Sequence, residues 1–287
     1  MPAMQDIALD IPSGRIAGWR LRENASQQDL PRVLALHGWL DNAASFVPLA
    51  AHLDGIDLVA IDLPGHGASA HLPPGADYSF AGTVNALLDV ADALQWDRFA
   101  LLGHSMGAGI ASLLAAACPE RIERFVAIEA LGALPEVPER TVARLRDAVI
   151  AARALPGKRL RVFPDLDTAV RARMQANALS EPVARLLVER GTVAVDGGYV
   201  WSSDPRLTLP TMMRLTEAQI ENLVAGIACP TCVIFADPPQ PYFREPLRSA
   251  RAGLLPQGEL HVIAGSHHLH MEDPRAVAEA IGDFFRR

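Results

Sequence analysis

Gly103-His104-Ser105-Met106-Gly107 is the stretch that decides how this 287-residue chain is read. The run Arg98-Phe99-Ala100-Leu101-Leu102 precedes it, and small residues from Ala108 to Ala117 follow. The first run has the make-up of a buried strand and the second that of a helix. A Gly-x-Ser-x-Gly segment between strand and helix makes a sharp turn with its serine at the apex. Glycine tolerates the crowding on both flanks of such a turn, and larger residues do not. The helix that follows aims its N-terminus at Ser105, where its free N–H groups favour negative charge. Ser105 is therefore the candidate nucleophile.

Outward from this turn, strand-like and helix-like runs alternate. Ile7–Ile11 and Arg15–Leu21 read as an antiparallel pair around Pro12-Ser13-Gly14. Strands are expected at Arg32–Leu36, Asp57–Ile61, Arg98–Leu102, Arg124–Ile128, Thr231–Ala236 and Glu259–Ile263, giving eight in all. Helices are expected at 43–53, 80–94, 105–118, 217–226, 245–255 and 274–285. This alternation predicts an α/β fold, a mostly parallel eight-stranded sheet with helices on both faces. Ligands bind such sheets at the carboxyl ends of the strands. The alternation breaks between 134 and 215, where helical patterns (139–155, 168–177, 182–190) and the turn-rich piece Asp196–Trp201 replace it. The expected division is a core of residues 1–133 and 216–287 with an inserted helical cap of residues 134–215.

Composition bounds the function. Half of the residues are hydrophobic, enough for one large core plus an insertion. A net charge of −7 argues against nucleic acid as a partner. Residues 136–214 carry 13 basic and 9 acidic side chains, a net of +4 against −11 elsewhere. Cys118, Cys229 and Cys232 make no disulfide framework and suit a reducing cytoplasm. Met1–Asp10 lacks the basic and apolar regions of a signal peptide, and no apolar run reaches the length of a membrane span. These features predict a cytoplasmic monomer or homodimer acting on a small molecule, with no nucleic-acid or membrane partner.

An acyl-transfer serine needs a base, a carboxylate that orients the base, and donors for the oxyanion. His267, in the loop between the last strand and the last helix, is the base. His268 and His270 have His-x-His spacing, but no acidic or cysteine partner at ligand spacing accompanies them. They are read as packing groups, and no metal and no cofactor is expected. The oxyanion donors are the backbone N–H groups of Met106 and Trp39, the latter in a loop where Gly38 permits close approach. Two carboxylates end apolar strands in the chain order the triad requires: Glu129 and Asp237. Trp201, Met212 and Met213 are the expected apolar contacts of the substrate. Asp41 is close enough to the oxyanion loop to orient Trp39 or a water, and His37 and His104 are read as loop buttresses. Cys229-Pro230-Thr231-Cys232 enters a strand, whereas reactive Cys-x-x-Cys pairs sit at helix N-termini, so it is read as structural.

Four segments in order now carry a resemblance. They are Leu36-His37-Gly38, Asp62-Leu63-Pro64-Gly65-His66-Gly67-Ala68-Ser69, the Ser105 turn, and Gly265-Ser266-His267 with Glu272-x-Pro274. Together they resemble the α/β-hydrolase superfamily. The runs His37–Phe46, Trp201–Leu207 and His267–His270 are similar to its serine-hydrolase-like subfamily. The resemblance implies the α/β-hydrolase fold and makes Asp62 a loop-shaping residue. In the commoner family pattern the acid follows the strand as Gly-x-x-Asp, but here Pro239 occupies that position. In a minority pattern, seen in haloalkane dehalogenases, the acid ends the strand after the nucleophile's helix, as Glu129 does. The resemblance therefore favours Glu129, with Asp237 as the alternative. Those dehalogenases use an aspartate nucleophile, so a serine here implies ester or thioester hydrolysis through an acyl-enzyme. A carbon–carbon bond hydrolase or lactonase on the same triad is the alternative enzyme. A non-catalytic ligand-binding member of the fold is the alternative from another class.

Overall fold

The computed structural model describes residues 4–22, 30–155 and 161–287. Residues 1–3, 23–29 and 156–160, parts of the expected core and cap ranges, lie outside the described residues. Strands β1 (Met4–Ile11) and β2 (Gly14–Arg22) form the opening hairpin, followed by β3 (Arg32–Leu36) and a 3-10 turn at Ala43–Phe46 that runs into α1 (Val47–Ala50). Then come β4 (Asp57–Ile61), α2 (Phe80–Ala93), β5 (Phe99–His104), α3 (Met106–Ala117) and β6 (Ile122–Ile128). Between β6 and α7 lie α4 (Thr141–Ala154), α5 (Leu166–Asn177), α6 (Glu181–Gly191) and the hairpin β7 (Thr192–Val195) and β8 (Gly198–Trp201). The chain closes with α7 (Glu217–Ala225), β9 (Thr231–Asp237), α8 (Leu247–Ala252), β10 (Gly258–Ala264), α9 (Leu269–Glu272) and α10 (Pro274–Ile281).

Eight strands form one sheet in the order β1-β2-β4-β3-β5-β6-β9-β10. β1–β2 and β2–β4 pair antiparallel, and every later pair is parallel. A parallel sheet covered on both faces needs apolar residues at every position, and β4 and β5 are buried throughout. Alternate side chains sort into two cores. Leu34, Leu36, Leu101, Phe125 and Phe235 pack under α2, α3 and α7 through Leu87, Ile110, Leu114 and Val224. Val33, Ala35, Leu102, Val126 and Ile234 pack against Leu49, Val277, Ile281 and Phe285 on the other face. A third cluster belongs to the segment between β6 and α7: Phe163, Val170, Val183, Leu187 and Val188 pack together and reach Met271 of α9.

The observed elements differ from the sequence reading at particular residues. The helix expected over 43–53 is a 3-10 turn followed by one helical turn. Asn42 caps the 3-10 turn by accepting from Ala44 N–H. Asp196–Trp201 contributes to a hairpin, with Gly197 at φ +82° in its turn. The helix expected over 245–255 is confined to Leu247–Ala252. No helix of the described residues is long and apolar enough to cross a membrane.

Candidate active site

The site begins where β5 meets α3. Ser105 sits between them at φ 50°, ψ −116°. This left-handed conformation costs a non-glycine residue on the order of 1–3 kcal/mol. Its N–H donates to Ile128 O at 2.8 Å and its carbonyl accepts from Gly109 N–H at 3.0 Å, which holds the turn. The flanking glycines are required by contact. A Cβ on Gly103 would lie 2.5 Å from Ala108 Cα, and one on Gly107 would lie 2.0 Å from Leu36 O.

His267 lies between β10 and α9, with Nε2 2.9 Å from Ser105 Oγ and Nδ1 3.0 Å from Glu129 Oε2. Glu129 follows β6 at φ 61° and is 6% exposed. Its N–H donates to Ile234 O at 2.9 Å and its Oε1 accepts from Ala236 N–H at 2.6 Å. Main-chain groups of β9 therefore fix the carboxylate at both ends of the residue. An ionised carboxylate only accepts, so His267 Nδ1 carries the proton and Nε2 of the neutral ring accepts from the serine hydroxyl.

Asp237, the alternative acid, ends β9 with an exposed side chain. Its carbonyl accepts from Gly265 N–H at 3.0 Å. Its carboxylate makes no hydrogen bond or ion pair among the described residues. Of the two carboxylates, Glu129 is the one the structure brings to His267.

Met106 is the first residue of α3, so its N–H has no acceptor within the helix. Trp39 follows Gly38 in the loop after β3, and its N–H has no acceptor among the described residues. The Trp39 indole is 54% exposed and donates to Leu207 O at 2.8 Å, reaching the segment between β6 and α7. Trp201, expected at the substrate, packs edge-on against Phe163 with ring centroids 5.2 Å apart, a contact inside that segment's own core. Met212 and Met213 are exposed just before α7.

Around the Ser105–His267–Glu129 chain lies a buried polar layer that the sequence only hinted at. Asp41, 3% exposed, pairs with Arg173 of α5 and with His268 Nε2 at 3.3 Å. Among the described residues it makes no hydrogen bond to Trp39; it ties the loop after β3 to the loop of His267 and to α5. His104 donates from Nε2 to His267 O at 2.8 Å, so it buttresses that loop directly. His37 Nε2 accepts from Leu63 N–H at 2.9 Å. Asp62 shapes its own turn by accepting from Ala43 N–H at 2.8 Å and Ala68 N–H at 2.9 Å, and it also receives Arg190 Nε of α6 at 2.9 Å. Asn42 Nδ2 to Leu187 O at 2.8 Å and Ser180 N–H to Glu272 Oε1 at 2.7 Å add two more ties. Arg173 and Arg190 carried no signal in the sequence, because 132 and 128 residues separate them from their partners. Cys229 and Cys232 join the cores on opposite faces of the sheet, so they form no redox or chelating pair.

Burial makes the histidine layer acid-sensitive. His270 is lowered to about 3 by burial and then by the neighbouring charge of His268. His66 is lowered to about 3 by burial and then by His37. His104 is held well below the ordinary imidazole value by burial and then by His270. At His270 and His66 the unfolded chain binds protons below about pH 6.5, while the folded chain does not until about pH 3. Stability therefore falls as pH drops through that window, by about 1.4 kcal/mol per pH unit for each such histidine. The urea midpoint is expected to be level from pH 7 to 8 and to fall steeply from pH 6 to 4.5. A level midpoint across both ranges would contradict this.

Comparisons with known proteins bear on the family and the fold. The profile described as "alpha/beta hydrolase fold" matches residues 31–186. A serine hydrolase-like protein of Dictyostelium discoideum is 31% identical over 88% of this chain and 74% of its own. The crystal structure of a hypothetical protein from Pseudomonas aeruginosa PAO1 superposes with a TM-score of 0.92 at 40% identity, covering 99% of both chains. The thioesterase domain from the curacin biosynthetic pathway superposes with a TM-score of 0.83 at 27% identity, covering 97% of this chain and 99% of that domain. On the eight-stranded sheet, the matched profile and these relatives, the chain belongs to the alpha/beta hydrolase family and sits among its serine hydrolase-like proteins.

Proposed function

We propose that the protein is a serine hydrolase that cleaves an ester or thioester of a small acyl substrate, using Ser105, His267 and Glu129. The observation that carries this reading is the unbroken hydrogen-bond chain from Ser105 Oγ through both nitrogens of His267 to a buried carboxylate. In the first half-reaction Ser105 Oγ attacks the acyl carbon as its proton passes to His267 Nε2. The Met106 and Trp39 N–H groups hold the oxyanion, and Glu129 stabilises the imidazolium. The imidazolium then protonates the leaving alkoxide or thiolate, which departs and leaves the acyl group on Ser105. Water, deprotonated by His267, attacks the acyl-enzyme, and the proton returns to Ser105 as the free acid leaves.

Residues 134–215 act in this reading as a cap. Its α5–α6 part is tied down by Arg173, Arg190 and the Asn42–Leu187 contact. Its α4 part buries only Ala148 and exposes Val142, Val149 and Ile150. Acyl chains meet the cap from this looser side, with Met212 and Met213 as contacts and Trp201 supporting the wall through Phe163. Three unpaired cysteines support a reducing, cytoplasmic location.

The likeness to the curacin-pathway thioesterase domain supports keeping thioesters in the substrate class. A panel of short- and long-chain p-nitrophenyl esters, acyl-CoA thioesters, lactones and ring-fission diketones tests the assignment. Turnover is expected on the esters or thioesters with a burst of leaving group equal to the enzyme concentration. Turnover confined to the diketones or lactones would replace the proposed bond type.

A further inference from the structure

One polar cluster in the β9–β10 pair lies outside the Ser105 site. Cys232 of β9 and Glu259 of β10 are direct neighbours in the parallel register, and His261 stands two residues further along β10. Side-chain alternation puts all three on one face of the sheet. One donor atom of each lies within 4.8 Å of the donor atoms of the other two. Glu259 Oε1 and His261 Nε2 are both buried without a hydrogen-bond partner. The other carboxylate oxygen, Oε2, receives Arg287 Nη1 at 3.3 Å, so the guanidinium holds Glu259 and leaves Oε1 unmet. Buried polar atoms without partners are costly and rare, and a cation satisfies both of these at once.

We propose that Cys232, Glu259 and His261 bind a divalent transition-metal cation, with zinc as the favoured ion. A thiolate, a carboxylate and an imidazole are the donor types zinc takes, and this soft-and-nitrogen mixture disfavours magnesium and calcium. The thiolate and the carboxylate supply two anionic donors against the two charges of the ion. A cysteine thiol binds a metal as the thiolate, so the cation displaces its proton on binding. Cys229 sits in the core on the opposite face and is not a donor.

The position makes the metal a clamp and not a reagent. Cys232 is the second residue of β9, and the strand runs five further residues, roughly 16 Å, to the sheet edge that carries His267. A bound ion joins the edge strand β10 to β9 and, through Glu259, to the C-terminal residue Arg287.

The test uses the full-length protein, stripped with a chelator and dialysed. It is titrated with Zn2+ against a chromophoric chelator and with Co2+ followed by absorption. One equivalent of either ion is expected to bind, with release of one proton, a thiolate-to-cobalt charge-transfer band and a rise in Tm. Cys232→Ala is expected to abolish the charge-transfer band. His261→Gln, on the edge strand and therefore mild for folding, is expected to weaken Zn2+ binding by about 100-fold or more. Cys118→Ala, away from the cluster, is expected to bind as wild type. Absence of stoichiometric binding, a cobalt spectrum without the thiolate band, or unaltered affinity in His261→Gln would each overturn the proposal.

Discussion

Glu129→Gln is expected to lower kcat about 10³- to 10⁴-fold, while Asp237→Asn stays within about twofold of wild type. The reason lies in what each oxygen of Glu129 does. Oε1 accepts from Ala236 N–H at 2.6 Å, so a glutamine must place its carbonyl there. Its NH2 then faces His267 Nδ1, which the wild-type Oε2 meets at 3.0 Å. A donor at that position forces Nδ1 to accept and puts the ring proton on Nε2. Nε2 can then no longer take the proton of Ser105. Asp237 supplies only a backbone carbonyl to the same loop, and Asn preserves that contact. Steady-state kinetics on an activated ester decides between the two carboxylates, and the reverse order of losses would overturn the assignment.

Arg173→Met is expected to destabilise the fold by about 3–5 kcal/mol, because it leaves Asp41 buried without its guanidinium. Burial raises the Asp41 carboxyl, but the contact with His268 and then the Arg173 guanidinium outweigh it and hold the group far below its usual range. Removing both charges in the Asp41→Asn/Arg173→Met double variant is expected to restore part of the loss, since no uncompensated charge then stays buried. Urea unfolding measures this as a shift in midpoint at constant slope. A single variant within about 0.5 kcal/mol of wild type would show that the pair carries no stability. Asp41 touches the loop of His267 through His268, so the same variant is expected to lower kcat as well.

The strands and the helix after Ser105 were legible because burial on both sheet faces leaves an unmistakable apolar run, as in Asp57–Ile61 and Phe99–His104. The turn at Ser105 was legible because Gly103 and Gly107 are demanded by backbone contacts that the surrounding sequence cannot avoid. Glu129 was singled out by a carboxylate ending an apolar strand, together with the family pattern, although nothing local distinguished it from Asp237. Its hydrogen bond to Ala236 N–H crosses 107 positions and has no local trace. The ties Arg173–Asp41 and Arg190–Asp62 were illegible for the same reason, since an arginine on an amphipathic helix reads as a solvated side chain until its partner is placed. The 3-10 turn at Ala43–Phe46 was missed because its apolar composition suits a helix, while capping by Asn42 and the contact with Asp62 tighten its start.

The proposed function requires that Ser105 be a nucleophile activated by His267. Reaction with a fluorophosphonate followed by peptide mass spectrometry tests it most directly. One adduct per chain is expected, on Ser105, lost in Ser105→Ala and strongly slowed in His267→Ala. Folded wild-type protein that stays unlabelled, or that carries its adduct on another residue, would contradict it.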